Sequence, residues 1–287
     1  MVAVPINFDI ISTMYCQFYG LKERPFNVTS DPAFFFLSKQ HKEALSHLLY
    51  GVTQRKGIIA ITGEIGTGKT TLCRFFLNQL AKNVKTALIL NPYFSENQLL
   101  EAIAKDFGLK IKSKSKLSFI WGLNDFLLSE SNNGNNVIII IDEAQNLRPQ
   151  ALEQIRLLSN LETEKDKLLQ IILMGQPELN RKLELYELRQ LKQRIMVRYH
   201  IPPLAQEELN DYINHRLSVA GSSANITFTE DTIKIISDFS CGVPRLINII
   251  CDRALLAAFV AETRIINADI IGRCVKELTA YKENAKQ

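Results

Sequence analysis

The stretch ITGEIGTGKTTL, Ile61 to Leu72, decides the fold of this chain. Gly63 to Thr70 within it fits the pattern G-x-x-x-x-G-K-[ST]. Its glycines let the backbone wrap a phosphate chain and offer it N–H groups, and a helix start beyond them adds a favourable dipole. Lys69 would reach the β- and γ-phosphates, and the Thr70 hydroxyl would ligate Mg²⁺. The expected nucleotide contacts are Gly63, Glu64, Ile65, Gly66, Thr67, Gly68, Lys69, Thr70 and Thr71. A strand-like run, GIIAIT, precedes the loop, and an apolar helical run, TLCRFFLNQL, follows it. That context makes the pattern specific.

Four further β-type runs follow: TALIL, NVIIII, LLQIILM and IMVRYHI. They are rich in Ile, Leu and Val, and continuous apolar runs mark strands covered on both faces. Helical patterns separate them. Ser95 to Gln98 reads as a capping box opening one helix, and Pro149 suits the first turn of another. Strand alternating with helix predicts a parallel α/β sheet. After Pro202-Pro203 the pattern changes to helices around 206–219, 229–239, 243–261 and 267–281, broken at Gly221 and Gly242. Three divisions are expected: residues 1–40 as an N-terminal extension and linker, 41–202 as an αβα core, and 203–287 as a small helical domain. The tail AYKENAKQ is expected to fray.

A phosphate loop needs an acidic partner at the end of a neighbouring strand. NVIIIIDEAQ delivers Asp142 and Glu143 to the carboxyl edge, where open α/β sheets bind ligands. Asp142 would hold Mg²⁺ through water, and Glu143 would polarise the attacking water as general base. A small-molecule kinase needs an acceptor pocket, whereas this pair positions water. No N-K-x-D string is present to read guanine. ATP with Mg²⁺, and hydrolysis, is the expected chemistry. Gln176, after the strand LLQIILMG, would lie beside Asp142 and orient the water.

Composition narrows the remaining classes. Of the residues 46% are hydrophobic, enough to bury a full core, and Lys+Arg 34 against Asp+Glu 30 leaves +4, too mild to imply nucleic acid by itself. Five cysteines form no C-x-x-C pair and read as reduced, packed thiols. The most apolar late run, LINIICDRALLAAFVA, is broken by Asn248, Asp252 and Arg253, so no membrane span is expected. The first basic residue is Lys22, which leaves no basic opening for a secretory signal. A cytoplasmic location is expected, peripheral at the inner membrane at most.

In order, GEIGTGKTTL, DEAQNL, LEQIRLLSNLET, KLLQIILMGQPEL, LRQLKQRI and GVPRLIN resemble the ATPase module of the general secretion pathway protein A (ExeA/GspA) family. The opening YGLKERPFNVTSDPAFFFLSKQHKEAL matches as well, so the resemblance runs from Met14 to about Leu278. That family is a branch of the AAA+ ATPases, similar in its core to transposition ATPases of the TnsC and TniB kind. The resemblance implies an AAA+ P-loop NTPase: a five-stranded parallel αβα sheet of order 5-1-4-3-2, then an α-helical lid. It implies a first-sensor role for Gln176 and a second-sensor role for Arg245 in Gly242-Val-Pro-Arg. It implies an arginine finger acting on a neighbouring subunit, with Arg194 the leading candidate and Arg189 the second, and hence a homo-oligomeric ring or filament. Longer members continue into a transmembrane helix and a periplasmic peptidoglycan-binding domain, and this chain stops first. Residues 1–13 lie outside the match, which makes Met14 an alternative start.

The lysines of LKIKSKSKLS, at Lys110, Lys112, Lys114 and Lys116, read either as a solvated linker or as a contact for DNA or anionic lipid. Three roles stay open. The leading one is ATP-driven assembly of a secretion or pilus apparatus, acting on inner-membrane proteins. The others are a DNA-binding ATPase that regulates a transposase and a nucleotide-gated switch with negligible turnover.

Overall fold

The computed structural model describes residues 15–111, 113, 115–164, 166–222 and 225–284. Lys112, Lys114 and the segment through Met14 lie outside the described residues. The chain divides into two compact units, one of them Lys39–Ile65 with Lys69–Pro202.

That unit is a parallel sheet flanked by helices. In chain order it runs α1 (Lys39–Thr53), β1 (Ile58–Gly63), α2 (Lys69–Gln79), β2 (Val84–Ile89), α3 (Glu96–Asp106), α4 (Lys116–Asn132) and β3 (Asn136–Ile141). It continues through α5 (Pro149–Leu158), β4 (Gln170–Gly175), α6 (Pro177–Leu183), α7 (Arg189–Arg194) and β5 (Ile195–Ile201). The strand order is β2-β3-β4-β1-β5, every pairing parallel, which is the expected 5-1-4-3-2 read from the other edge. Ile139 lies opposite Ile171, and Ile59 opposite Ile172, so the isoleucine runs stack across the centre. β1 and β4 are buried along their whole length, because helices cover both faces. The edge strand β5 differs from its sequence reading as a covered run. Met196, Arg198 and His200 alternate outward, as befits a strand with one covered face.

The helix starts follow from local chemistry. Ser95 and Gln98 close the capping box of α3: the Gln98 N–H donates to Ser95 Oγ and the Ser95 N–H to Gln98 Oε1. Pro149 occupies the first turn of α5, where its missing N–H costs nothing.

The second unit comprises the described part of Met1–Ser38, Gly66–Gly68 and Pro203–Gln287. Its helices are α8 (Leu209–Val219), α9 (Glu230–Ser240), α10 (Pro244–Val260) and α11 (Ala268–Asn284). Two short strands, β6 (Thr227–Phe228) and β7 (Ile265–Ile266), pair in parallel. Residues 1–40 were expected as an N-terminal extension and linker; Lys39 and Gln40 open α1 of the sheet unit, and apolar residues of 15–38 share the core of these helices. Tyr19, Phe26 and Phe34 are buried with Ile213, Ile250 and Ala254, and the Tyr19 hydroxyl donates to the Leu255 carbonyl at 2.8 Å. The buried Arg216 guanidinium donates to the carbonyls of Pro25 at 2.5 Å and Asn27 at 2.9 Å. The backbone of α11 is helical to Asn284, and the last residues of the tail AYKENAKQ, 285–287, lie outside the described residues. Among the described residues, no helix is long and apolar enough to cross a membrane.

Candidate active site

Three adjacent strands bring the candidate residues together. β3, β4 and β1 are neighbours and end at the same edge of the sheet. Asp142 and Glu143 follow β3, Gln176 follows β4, and the loop leading to Lys69 follows β1.

Lys69 opens α2 and is 5% exposed. Its ammonium donates to the carbonyls of Gly63 and Glu64, each at 2.9 Å. Burial holds its pKa below the usual lysine value, against the opposing pull of Glu143, Asp142 and Glu64. Gly66 and Gly68 have φ of +82° and +91°, the left-handed backbone that turns the loop and that a side chain would strain. Thr67 is buried, whereas Glu64 and Ile65 are exposed.

The Thr70 hydroxyl donates to Asp142 Oδ2 at 2.6 Å, and the Glu143 N–H donates to Asp142 Oδ1 at 2.9 Å. Asp142 is 2% exposed. Burial raises its pKa, partly offset by the hydrogen bonds from Thr70 and Glu143. Mg²⁺ prefers a few hard oxygens, keeping waters and phosphate oxygens for the rest of its octahedron. The Thr70–Asp142 pair fits that demand. Among the described residues, no cluster of three His, Cys, Asp or Glu side chains could hold a metal alone.

Glu143 sits in left-handed backbone, φ 53° and ψ 38°, a conformation that costs a non-glycine residue about 1–2 kcal/mol. The turn aims its carboxylate at two amides. Gln145 Nε2 donates to Glu143 Oε2 at 2.5 Å, and Gln176 Nε2 donates to the same oxygen at 3.0 Å. Gln176 is the N-cap residue of α6, but its side chain makes no capping hydrogen bond and turns to Glu143 instead. The sequence reading passed over Gln145. Its Oε1 accepts the Gln176 N–H at 3.0 Å, closing a ring from Glu143 through Gln145 to Gln176. Gly175 makes room for it, because a Cβ there would lie 2.9 Å from Gln145 Oε1. Lys182 was also missed. Its ammonium donates to the carbonyls of Gln145 at 2.5 Å and Leu147 at 2.7 Å. The available signals were the glutamine two residues after Glu143 and the glycine before Gln176.

Neither Arg194 nor Arg189 joins this ring. Arg194 ends α7; no side-chain hydrogen bond or ion pair of it is found among the described residues, and its charge is felt at Glu162. Arg189 donates to the Tyr186 carbonyl at 3.1 Å and stacks on its ring at 4.1 Å, a local tether. In the second unit, the Arg245 N–H donates to the Gly66 carbonyl at 3.3 Å, and its side chain is exposed.

Comparison with known proteins agrees with this layout. Residues 52–183 match the family model described as "AAA domain". The chain is 46% identical over 259 residues to General secretion pathway protein A of Aeromonas hydrophila, covering 90% of this chain and 47% of that protein. It therefore spans about half the length of the curated relative it matches. Among solved structures, Cdc6p from Pyrobaculum aerophilum superposes with a TM-score of 0.67 at 18% identity, over 85% of this chain and 70% of that one. The RuvB Holliday junction branch migration motor of Thermotoga maritima gives 0.56 at 18% identity, over 83% and 68%. At such identities the likeness shows the fold alone. The match to the AAA domain model spans the strands β1 to β4, and the sheet has the AAA+ P-loop fold that those solved structures share.

Proposed function

We propose that this chain is a magnesium-dependent ATP hydrolase that works as a homo-oligomer and drives assembly of a bacterial secretion or pilus apparatus from the cytoplasmic side. The observation that carries the hydrolase reading is the convergence of Lys69, Thr70, Asp142, Glu143 and Gln176 at the ends of three neighbouring strands.

Each group has work to do there. Lys69 exchanges the carbonyls of Gly63 and Glu64 for phosphate oxygens, which offsets the burial of its charge. The oxygens of Thr70 and, through water, Asp142 would hold Mg²⁺, which would neutralise charge on the phosphates. Glu143 accepts the proton of the attacking water. Its Oε2 is anchored by two amides, which leaves Oε1 as the free lone-pair site. Gln176 bridges from Glu143 toward the position of the terminal phosphate. Arg245 as a second sensor and Arg194 as a finger supplied to a neighbouring copy complete the reading. Glu143→Gln should keep ATP binding and lose hydrolysis; turnover within a few-fold of the parent would refute the base assignment.

The assembly role rests on the likeness to General secretion pathway protein A, an assignment for the longer protein. Replacing the chain in its host by Glu143→Gln should leave the apparatus components made but unassembled. Normal assembly in that strain would remove the role. The DNA reading has less support. Lys116, one of the lysines that would make the contact, is paired with Glu96 at 2.5 Å.

A further inference from the structure

We propose that a cleft beside the amino-terminal half of α5 is a docking site for an arginine side chain and its peptide unit on a partner polypeptide. The cleft has a volume of about 250 Å³ and lies wholly within the sheet unit, between α3, α4, α5 and the residues just before α7. That is below the ~300–1,000 Å³ typical of pockets for whole small molecules, and it suits a single side chain. It shares no residue with the ATP site.

The first observation is Gln154. It is 1% exposed, lines the cleft, and has no hydrogen-bond partner at either Oε1 or Nε2. Buried amides are nearly always paired, so a group bare at both ends inside a cleft marks a recognition position. One atom asks for a donor and the other for an acceptor, and a peptide unit carries both.

Charge supplies the second observation. Glu96, Glu153 and Glu187 line the cleft against a single lining cation, Lys116. Glu96 is spent on Lys116, and Glu153 shares one oxygen with Arg156 Nε at 2.7 Å. Glu187 is exposed and has no ion pair among the described residues. The surplus is negative and calls for a cation. Leu157 and Leu188 form apolar walls on which an aliphatic stem can lie. A guanidinium matches a carboxylate through two parallel N–H bonds and sheds water more readily than an ammonium, which favours arginine over lysine. A free amino acid is disfavoured, because its α-carboxylate would enter a ring of three others.

The test is an NMR titration of the full chain with N-acetyl-arginine methylamide. Saturable shifts of the Gln154 side-chain amide and the Leu157 and Leu188 methyls are expected, with Kd of about 1–10 mM. The citrulline analogue, of the same shape without charge, should bind about tenfold more weakly, the lysine analogue should fall between, and free arginine should trail its methylamide. Glu187→Gln should weaken the arginine probe about tenfold. Gln154→Met should abolish binding while raising the unfolding temperature, since a buried group without partners is removed. The proposal is overturned by no saturable shift up to about 100 mM, by citrulline binding as well as arginine, or by binding that survives Gln154→Met. Should Gln154→Met fail to fold, the surface variant Glu187→Gln decides by itself: unchanged affinity overturns the site.

Discussion

Gln145→Leu is the perturbation that most directly probes the ring around Glu143. The variant removes the 2.5 Å bond from Gln145 Nε2 to the Glu143 carboxylate and leaves the Gln176 N–H without its acceptor. A hydrogen bond to a charged group contributes about 1.5–3 kcal/mol. Gln176 Nε2 still holds the same oxygen at 3.0 Å, and Glu143 is only half-buried, so the lower end applies. A loss of about 1.5 kcal/mol in orienting the base corresponds to kcat lower by about tenfold. Lys69, Thr70 and Asp142 are untouched, so the KM for ATP should stay within about twofold. Gln145→Glu should be worse than leucine, because it keeps an acceptor for the Gln176 N–H but sets a like charge against Glu143. Gly175→Ala offers an independent route, since its Cβ would press on Gln145 Oε1 at 2.9 Å. Steady-state phosphate release with varied ATP separates kcat from KM. Unchanged kcat in Gln145→Leu, or a loss confined to KM, would show that Gln145 does not position the base.

Three other outcomes are expected. Lys69→Ala should abolish ATP binding in a fluorescent-nucleotide titration, because it removes the ammonium that the Gly63 and Glu64 carbonyls seat for the phosphates; retained micromolar affinity would contradict this. Mixed assemblies of Arg194→Ala and Glu143→Gln chains should recover part of the hydrolysis each lacks alone, because some interfaces would join an intact arginine to an intact base, and no recovery in assemblies shown to be mixed would count against Arg194 acting in trans. His215 has its pKa lowered, first by burial and then by Arg216, so the folded state binds its proton less readily than the unfolded chain. Stability should therefore fall as pH drops below 6.5, the unfolded value, and His215→Gln should lose less over that window in thermal melts. Parallel melting curves would refute the linkage.

The legible parts of this molecule were those written in neighbouring residues. The phosphate loop and the Asp142–Glu143 pair are each a few positions long, and the isoleucine run before Asp142 announced a covered strand whose end had to lie at the sheet's edge. Gln176 was readable because it repeats that logic one strand over. Gln145 was not, although it lies two positions from Glu143. Its contact depends on the left-handed turn at Glu143, which a non-glycine residue does not advertise. Lys182 acts through backbone carbonyls 35 and 37 positions away, and no local pattern encodes that. The same reason hid the partnership of Tyr19 with Leu255, 236 positions apart. β6 and β7 are two residues each, too short for any periodicity to register.

That long-range partnership sets an order of events during synthesis. The small helical unit takes Tyr19, Phe26 and Phe34 from before the sheet and α8 to α11 from after it, so its interior stays unfinished until α8 to α11 have been made. Meanwhile Lys39–Pro202, already emerged, holds all the strands of its sheet and can fold first. A nascent chain from which Pro202 has just emerged would present three bare aromatic rings beside a sheet whose strands are all available, a ready target for a holding chaperone.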